Sequence, residues 1–453
     1  MEFISKNIFR AYDIRGKYPQ EVSFNLAYRL GYFFKNFLKQ SKLFNKNKVR
    51  VLVGADLRNS SESLKKKLIQ GLIDGGVEVI DLGVSTTPMF YFGIKKTKAD
   101  FGIIVTASHL SKGHNGFKIF NKNIEAISGE KLGKFVKIFE RNIEPHALLE
   151  MRLTKLDLSD EYVDLLIKRF NFRAEERDFL KKIKIAVNDQ FGIATPIFKK
   201  LFPKLDLSIK IFNEKSNARF HKVVAKSFDL GVYFDADGDR VVFVDKRGAI
   251  VSPDVIGPIL AGYFVQSHKK ASIVIDKTIT KLVSETILGF GGKVIYSKIG
   301  HSYFKAKMVE TKAIFGLEKS GHYYFKDFYS ADSGIFAFLI FLKTLVFYGV
   351  DFDNLQNDFK KYFIAPEINF SAEDYKTIIN ALKKEFECSA KKISNFDGLS
   401  MDFENWRFNV RLSNTEPVAR LNLEADSKIV LKEKSAFIKK IIKKNELTKS
   451  KTN

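Results

Sequence analysis

Short apolar, β-branched runs that stop at a polar, glycine-bearing loop recur along this chain, with helical periodicity between them. Ile103-Ile104-Val105 ends at Thr106-Ala107-Ser108-His109, and Gly113-His114-Asn115-Gly116-Phe117-Lys118 follows. A run of that length predicts a buried strand of a mostly parallel sheet. Open α/β folds place their chemistry just beyond the carboxyl ends of such strands, so Ser108 is a candidate nucleophile. A solvated turn is the plain alternative, because Ser, Gly and Asn favour turns on conformational grounds alone.

The same pattern returns twice. Val49–Asp56 predicts a strand and Arg58-Asn59-Ser60-Ser61 opens a helix; Lys184–Asp189 leads to Thr195-Pro196, and Ser272–Thr278 begins a third copy. Val77–Gly83 predicts a further strand, and Thr86-Thr87-Pro88 opens a helix with proline in its first turn. Each copy is followed by an apolar run that delivers a loop: Ile103–Val105 into Ser108, Leu230–Phe234 into Asp235, and Ala313–Phe315 into Glu318. Upstream, a helical pattern covers Phe24 to Phe37. Near the end, Trp406–Leu412 and Val418–Leu423 alternate around Ser413-Asn414-Thr415-Glu416-Pro417, which predicts a hairpin. The expected fold is three repeated mixed α/β domains plus a smaller C-terminal α+β domain, with boundaries at 1–150, 151–252, 253–366 and 367–453. The polar tail from Lys443 is expected to fray.

Composition supports this picture. The 453 residues suffice for about three or four domains, and 45% hydrophobic content with 44 Phe supplies cores. One cysteine excludes a disulfide framework and Cys-rich zinc sites. The N-terminus lacks the apolar core of a signal peptide. The most apolar stretch, Gly334–Leu342 and Leu345–Val350, is interrupted by Lys343-Thr344 and reads as a buried core helix. A cytoplasmic protein without a membrane span is expected. The net charge of +24 is spread over scattered lysines such as Lys65-Lys66-Lys67, and no RNP-type segment, zinc finger or basic heptad accompanies it. Nucleic acid is therefore not an expected partner.

The most specific chemical feature is Asp235-Ala236-Asp237-Gly238-Asp239-Arg240. Three carboxylates at alternate positions repel one another unless a cation neutralises them, and hard oxygen ligands select Mg²⁺ or a similar ion. An EF-hand is excluded, because Gly238 is fourth and Lys246 twelfth in the run. A haloacid-dehalogenase-type aspartyl nucleophile would leave Ser108 and the later loops unexplained. The Gly129–Gly133-Lys134 run has the wrong spacing for a P-loop, and Phe135 stands where a hydroxyl is needed. Gly316-Leu317-Glu318-Lys319-Ser320-Gly321 offers a carboxylate and a hydroxyl suited to sugar hydroxyls. Arg411, Ser413, Asn414, Thr415 and Arg420 form a candidate phosphate cradle.

Phe9–Gly16, Thr106–His109, Asp235–Arg240 and Arg411–Pro417, taken in order over essentially the whole chain, resemble the α-D-phosphohexomutase family, specifically its phosphomannomutase/phosphoglucomutase branch. The resemblance implies four domains around a central cleft. It implies a phosphoserine at Ser108, with Arg15 and Lys118 flanking it and Lys118 or His109 assisting proton transfer. Mg²⁺ would be held by Asp235, Asp237, Asp239 and the serine phosphate. Arg240, Glu318 and Ser320, with Lys298 and His301 as weaker contacts, would bind the sugar phosphate. Arg411, Ser413, Asn414, Thr415 and Arg420 would bind the phosphate that is not transferred. The expected reaction interconverts hexose 6-phosphate and hexose 1-phosphate of mannose or glucose, with hexose 1,6-bisphosphate as intermediate and activator and the protein acting as monomer or homodimer. Phosphoglucosamine mutase is the alternative activity, and a catalytically inactive sugar-phosphate-binding relative is the alternative class. Two departures stand out: Leu110-Ser111-Lys112 replaces the usual Asn-Pro after Ser-His, and Lys319 replaces the usual methionine or glutamine of the sugar loop.

Overall fold

The computed structural model describes residues 4–44, 48–108, 110, 113–143, 153–413 and 416–447. The chain forms two compact units, Met1–Ser252 with Gly321–Phe352, and Pro253–Ser320 with Asp353–Asn453.

The first unit is built on two mixed sheets. One contains β1 (Ile14–Lys17), β2 (Arg50–Ala55), β3 (Glu78–Val84), β4 (Phe101–Val105), β5 (His114–Asn121) and β6 (Leu153–Lys155) in the order β1-β5-β4-β2-β3-β6. Strand β4 is parallel to β2 and antiparallel to β5, with Val105 opposite Phe117 and Ile104 opposite Lys118. All five residues of β4 are buried, the expectation for a near-continuous apolar run covered on both faces. The second sheet repeats the arrangement: Ile185–Asn188 is parallel to Leu230–Phe234, which is antiparallel to Val241–Asp245.

The continuous helix expected over Phe24–Phe37 is two helices, Phe24–Tyr32 and Phe34–Gln40. Phe33 leaves helical geometry at φ −90° and ψ 2°, and the turn lets Phe33, Phe34 and Phe37 all enter the core. Each fully buried Phe contributes about 2 kcal/mol of transfer free energy. The first helix crosses Ser61–Asp74 closely: a Cβ on Gly71 would come 2.0 Å from the Tyr28 carbonyl oxygen, so only glycine permits the approach. The apolar stretch from Gly334 is a helix to Tyr348 whose residues from Gly334 to Leu342 are all buried. No single helix among the described residues is long and apolar enough to cross a membrane.

In the second unit, Ser272–Ile275 lies between Lys293–Tyr296 and Phe315–Leu317 and runs parallel to both. A separate antiparallel sheet pairs Trp406–Leu412 with Val418–Ala425, the hairpin expected from the alternation. The final helix, Lys428–Leu447, continues past Lys443 rather than fraying there, because Ile438 and Ile442 bury against that sheet's core.

The repeat has a shared polar device. Asp56, Asp189 and Asp276 each follow the first strand of a copy, each is buried, and each accepts hydrogen bonds from the turn that follows. Asp56 takes the Arg58 N–H and the Ser61 hydroxyl, Asp189 takes the Thr195 N–H and hydroxyl, and Asp276 takes the Thr278 N–H and hydroxyl. These bonds fix the turn that leads into each following helix, and at Thr195 they satisfy a backbone donor that the helix start leaves open.

Candidate functional site

In the first unit the sheet register gathers the candidate groups. Ser108 lies three residues past the end of β4, buried, with its backbone at φ +51°. Its N–H donates to the Thr106 hydroxyl at 2.9 Å. Arg15 sits on β1 opposite Gly116, and Thr106 N–H bonds the Gly116 carbonyl, so Arg15 and the Ser108 strand share β5 as a template. Arg15 Nε pairs with Asp13 at 2.7 Å.

Lys118 points from β5 into the Asp235–Asp239 loop. Its Nζ donates to Asp237 Oδ2 at 2.6 Å and Asp239 Oδ2 at 3.1 Å, and all three groups are nearly sealed from solvent. Burial works against the Lys118 ammonium, but the two carboxylates outweigh it and raise its pKa. Asp237 is also held from the helix Thr87–Thr97, whose Thr87 hydroxyl donates to Asp237 Oδ2 at 2.9 Å while the Thr87 N–H donates to the Asp237 carbonyl. Gly238 turns the loop at φ +72°, a left-handed conformation that glycine adopts without strain. Arg240 Nε pairs with Asp235 Oδ2 at 2.8 Å.

One oxygen from each of Asp235, Asp237 and Asp239 lies within 4.8 Å of the others. Two such charges repel by about 3 kcal/mol at an effective dielectric near 20. Burial and the negative charge of Asp239 accordingly push Asp235 up to about 8. Burial alone would raise Asp239 too, but Lys118, His322 and Arg240 outweigh it and hold that carboxyl well below its ordinary value. Asp237 Oδ1 and Asp239 Oδ1 are buried without a hydrogen-bond partner. Asp332 groups with Asp239 and His322 at the same place. The buried Asp237 and Asp239 oxygens that receive no hydrogen bond are acceptors that a cation would satisfy. The residues present therefore fit a divalent cation with a preference for oxygen ligands, such as Mg²⁺.

His322 and Asp332 are groups that local sequence patterning did not single out. His322 Nε2 lies 3.6 Å from Asp239 Oδ1, and its backbone bridges Arg240. Tyr91, fully buried, lies on the Thr87–Thr97 helix; burial first, then the charge on Asp332, raises its pKa. Arg58 is a third: it reaches the backbone of the Ser108 loop.

In the second unit, Glu318 follows Phe315–Leu317 and is buried, accepting the Gly300 N–H at 2.7 Å. Gly300 precedes the helix that opens with His301, which places His301 near the Glu318 loop, while Lys298 and Ser320 are exposed. Lys319 N–H bonds Asp276 Oδ2 at 2.8 Å, and its Nζ lies 3.5 Å from Asp254 Oδ2. Arg411 and Arg420 are direct cross-strand partners in the hairpin, and Ser413 is half-buried at its loop. Like charges directly opposite in a sheet are destabilising. Arg420 also meets Glu367 and Glu416. A cavity of about 360 Å³ lined by Lys277, Lys281, Tyr296, Lys392 and Arg407 adds basic groups that motif reading passed over. Lys277 stacks its Nζ 3.6 Å from the Tyr296 ring centre. The only sequence signal for it is its place next to the repeated Asp276. His109, Asn414 and Thr415 lie outside the described residues.

Comparison with known proteins places this geometry. The phosphoglucomutase/phosphomannomutase alpha/beta/alpha domain I matches residues 6–145, domain III residues 252–362, and the C-terminal domain residues 367–440. A phosphomannomutase of Vibrio cholerae is 32% identical over 97% of this chain and 99% of its own. A phosphomannomutase of Methanocaldococcus jannaschii is 34% identical over 96% of this chain and 98% of its own. The crystal structure of a phosphoglucomutase/phosphomannomutase family protein from Burkholderia thailandensis superposes with a TM-score of 0.80 at 27% identity, covering 98% of each chain. With four motifs in order, an acidic loop built for a cation and relatives of matching length, the chain belongs to the phosphomannomutase/phosphoglucomutase branch of the α-D-phosphohexomutase family.

Proposed function

We propose that this protein is a hexose-phosphate mutase that interconverts the 6- and 1-phosphates of mannose, glucose or both, with Ser108 as the phosphoryl carrier. The observation that carries the reading is the sealed Lys118–Asp237–Asp239 cluster, reached from the strand paired to the one that delivers Ser108. Phosphoryl transfer requires positioning and concentrated positive charge around the moving group. Arg15 and Lys118 supply fixed cations, and Arg240 orients the acidic loop through Asp235. Asp235, Asp237 and Asp239, with the phosphate on Ser108, would hold Mg²⁺, which when bound supplies neutralisation of charge on the transferring phosphoryl group.

In the first half-reaction the bond from phosphorus to Ser108 Oγ breaks as a bond forms to a sugar hydroxyl oxygen. Of the two groups expected to assist proton transfer, His109 is the one to take that hydroxyl's proton, because Asp237 and Asp239 hold Lys118 as an ammonium. The product is a hexose 1,6-bisphosphate, whose other phosphate returns to Ser108 in the second half; the same bisphosphate serves as activator by phosphorylating Ser108. Glu318 and Ser320 read the sugar hydroxyls, with Lys298 and His301 as further contacts. Arg411, Ser413, Asn414, Thr415 and Arg420 bind the phosphate that is not being transferred. The reading also carries four domains, bounded near residues 150, 252 and 366. Lys319 in the sugar loop favours keeping phosphoglucosamine mutase as the second activity, because an ammonium there alters the contacts offered to the substituent on the sugar.

Intact mass before and after glucose 1,6-bisphosphate tests the carrier: wild type gains one phosphoryl group and Ser108→Ala gains none. Assays with mannose 1-phosphate, glucose 1-phosphate and glucosamine 1-phosphate separate the sugars. Equal turnover by Ser108→Ala and wild type would sink the phosphoserine reading.

A further inference from the structure

Ser108 holds a left-handed backbone, φ +51°, which side chains other than glycine adopt only when their surroundings impose it. The imposing group is visible. Arg58 Nη2 donates to the Ser108 carbonyl at 2.5 Å and to the Leu110 carbonyl at 2.7 Å, and Nη1 donates to the His114 carbonyl at 3.3 Å. One planar guanidinium thus gathers carbonyls from both ends of the loop. We propose that Arg58, locked by Asp56, is the positioning residue that presents Ser108 Oγ for phosphoryl transfer; the proposal rests on the phosphoserine reading above.

Asp56 closes the device on itself. Its Oδ2 lies 3.2 Å from Arg58 Nε, and its Oδ1 accepts the Arg58 N–H at 3.0 Å and the Ser61 hydroxyl at 2.5 Å. The Ser108 N–H is held separately, by the Thr106 hydroxyl. The amide of Ser108 is thus fixed by Thr106, and its carbonyl by Arg58 and, through Arg58, by the buried Asp56 carboxylate. Asn115, at the far end of the loop, donates its side-chain amide to Ser60 at 2.7 Å and Ser61 at 3.0 Å, the residues that follow Arg58. This arrangement holds the loop by backbone carbonyls, which any side chain leaves available. A lysine cannot substitute, because a single ammonium lacks the fork that spans separate acceptors.

Arg58 borders a cavity of about 310 Å³ lined also by Tyr18, Leu57, Leu110 and Phe191, so a free guanidinium ion has access to the space an alanine would leave. The test uses Arg58→Ala and Arg58→Lys in the full chain. In Arg58→Ala, kcat falls about 100-fold, the scale set by misplacing a reacting group by about 1 Å. KM stays within about twofold, because the binding groups are untouched. Rapid-quench intact mass shows Ser108 accepting phosphoryl from glucose 1,6-bisphosphate correspondingly slowly. Guanidinium chloride at low, non-denaturing concentration restores part of the rate, and ethylammonium chloride does not. The melting temperature falls, because buried Asp56 loses its partner, and recovery of rate by guanidinium at a temperature where the variant is folded separates positioning from stability. Arg58→Lys remains well below wild type, and it decides by the same measures should Arg58→Ala not fold. Transfer at the wild-type rate, or a rate loss that follows lost folding and resists guanidinium, overturns the proposal. A wild-type chain that never gains a phosphoryl group at Ser108 refutes the phosphoserine reading instead, which keeps the two failures apart.

Discussion

Lys118, Asp237 and Asp239 in the first unit have side chains between 0% and 4% exposed, whereas Arg420 in the second is 30% exposed and Lys298 and Ser320 stand in solvent. The difference follows from what each set has to do. Charge stabilisation at a reacting centre gains strength when water is excluded and the groups are fixed beforehand. The first unit fixes them with interlocking partners: Thr87 on Asp237, His322 on Asp239, Arg240 on Asp235. On the proposed function, the exposed groups of the second unit would admit and release a sugar phosphate, and at a surface their charges stay hydrated between turnovers. The first unit therefore concentrates its candidate charges in the interior, whereas the second divides its groups between buried Glu318 and Arg411 and the more exposed Arg420, Lys298 and Ser320.

The largest expected effect comes from disturbing that interior charge. Stripping divalent cations with EDTA, or replacing Asp237 with Asn, lowers turnover by about 10³-fold or more. Phosphosugar binding measured by calorimetry changes far less, because the groups of the second unit are intact. Turnover that survives exhaustive chelation would remove the cation from the acidic loop and collapse the contrast between the units.

Lys118→Met sharpens the same contrast on stability rather than rate. Removing one partner from a buried ionic cluster costs about 3–5 kcal/mol, here because Asp237 and Asp239 would face each other without the ammonium. Urea denaturation without divalent cation should show that loss, and millimolar Mg²⁺ should recover part of it by neutralising the same carboxylates. A Lys118→Met protein as stable as wild type in EDTA would mean that the cluster is not under electrostatic stress.

Much of this was legible in the sequence, for reasons that differ by region. The repeat of strand, polar turn and helix exposed the α/β architecture because buried parallel strands leave short apolar runs. The acidic loop stood out because three carboxylates at alternate positions weigh against a plain solvated turn in so basic a chain. His322 and Asp332 escaped notice because they reach Asp239 only through the fold of a distant segment. Arg58 resembled an ordinary helix opener, and its carbonyl contacts arise from loops brought together by the sheet. Asp56, Asp189 and Asp276 repeated in plain view, yet their work as hydrogen-bond acceptors depends on the turn geometry each adopts. The two-helix break at Phe33 likewise reflects a packing choice, since either side of it has good helical periodicity.

The smallest effect lies in the hairpin and tests the other side of the comparison. The register that sets Arg411 opposite Arg420 follows from the alternation of two strands, and it places two guanidinium groups where opposed like charges repel. If the hairpin exists to receive a phosphate, Arg411→Ala should raise KM for the hexose phosphate about 10-fold, the loss of one charge-assisted hydrogen bond of about 1.5 kcal/mol. The kcat should change only a few-fold, because no group around Ser108 is altered. Stability should move by less than about 1 kcal/mol, since the lost Arg411 contact to the Leu412 carbonyl is offset by relief of repulsion across the strand pair. A KM unchanged by Arg411→Ala and a clear loss of melting temperature would make the arginine pair part of the hairpin's structure instead. The surface of the second unit would then differ from the interior of the first only in hydration, with binding assigned to the basic groups around Lys277.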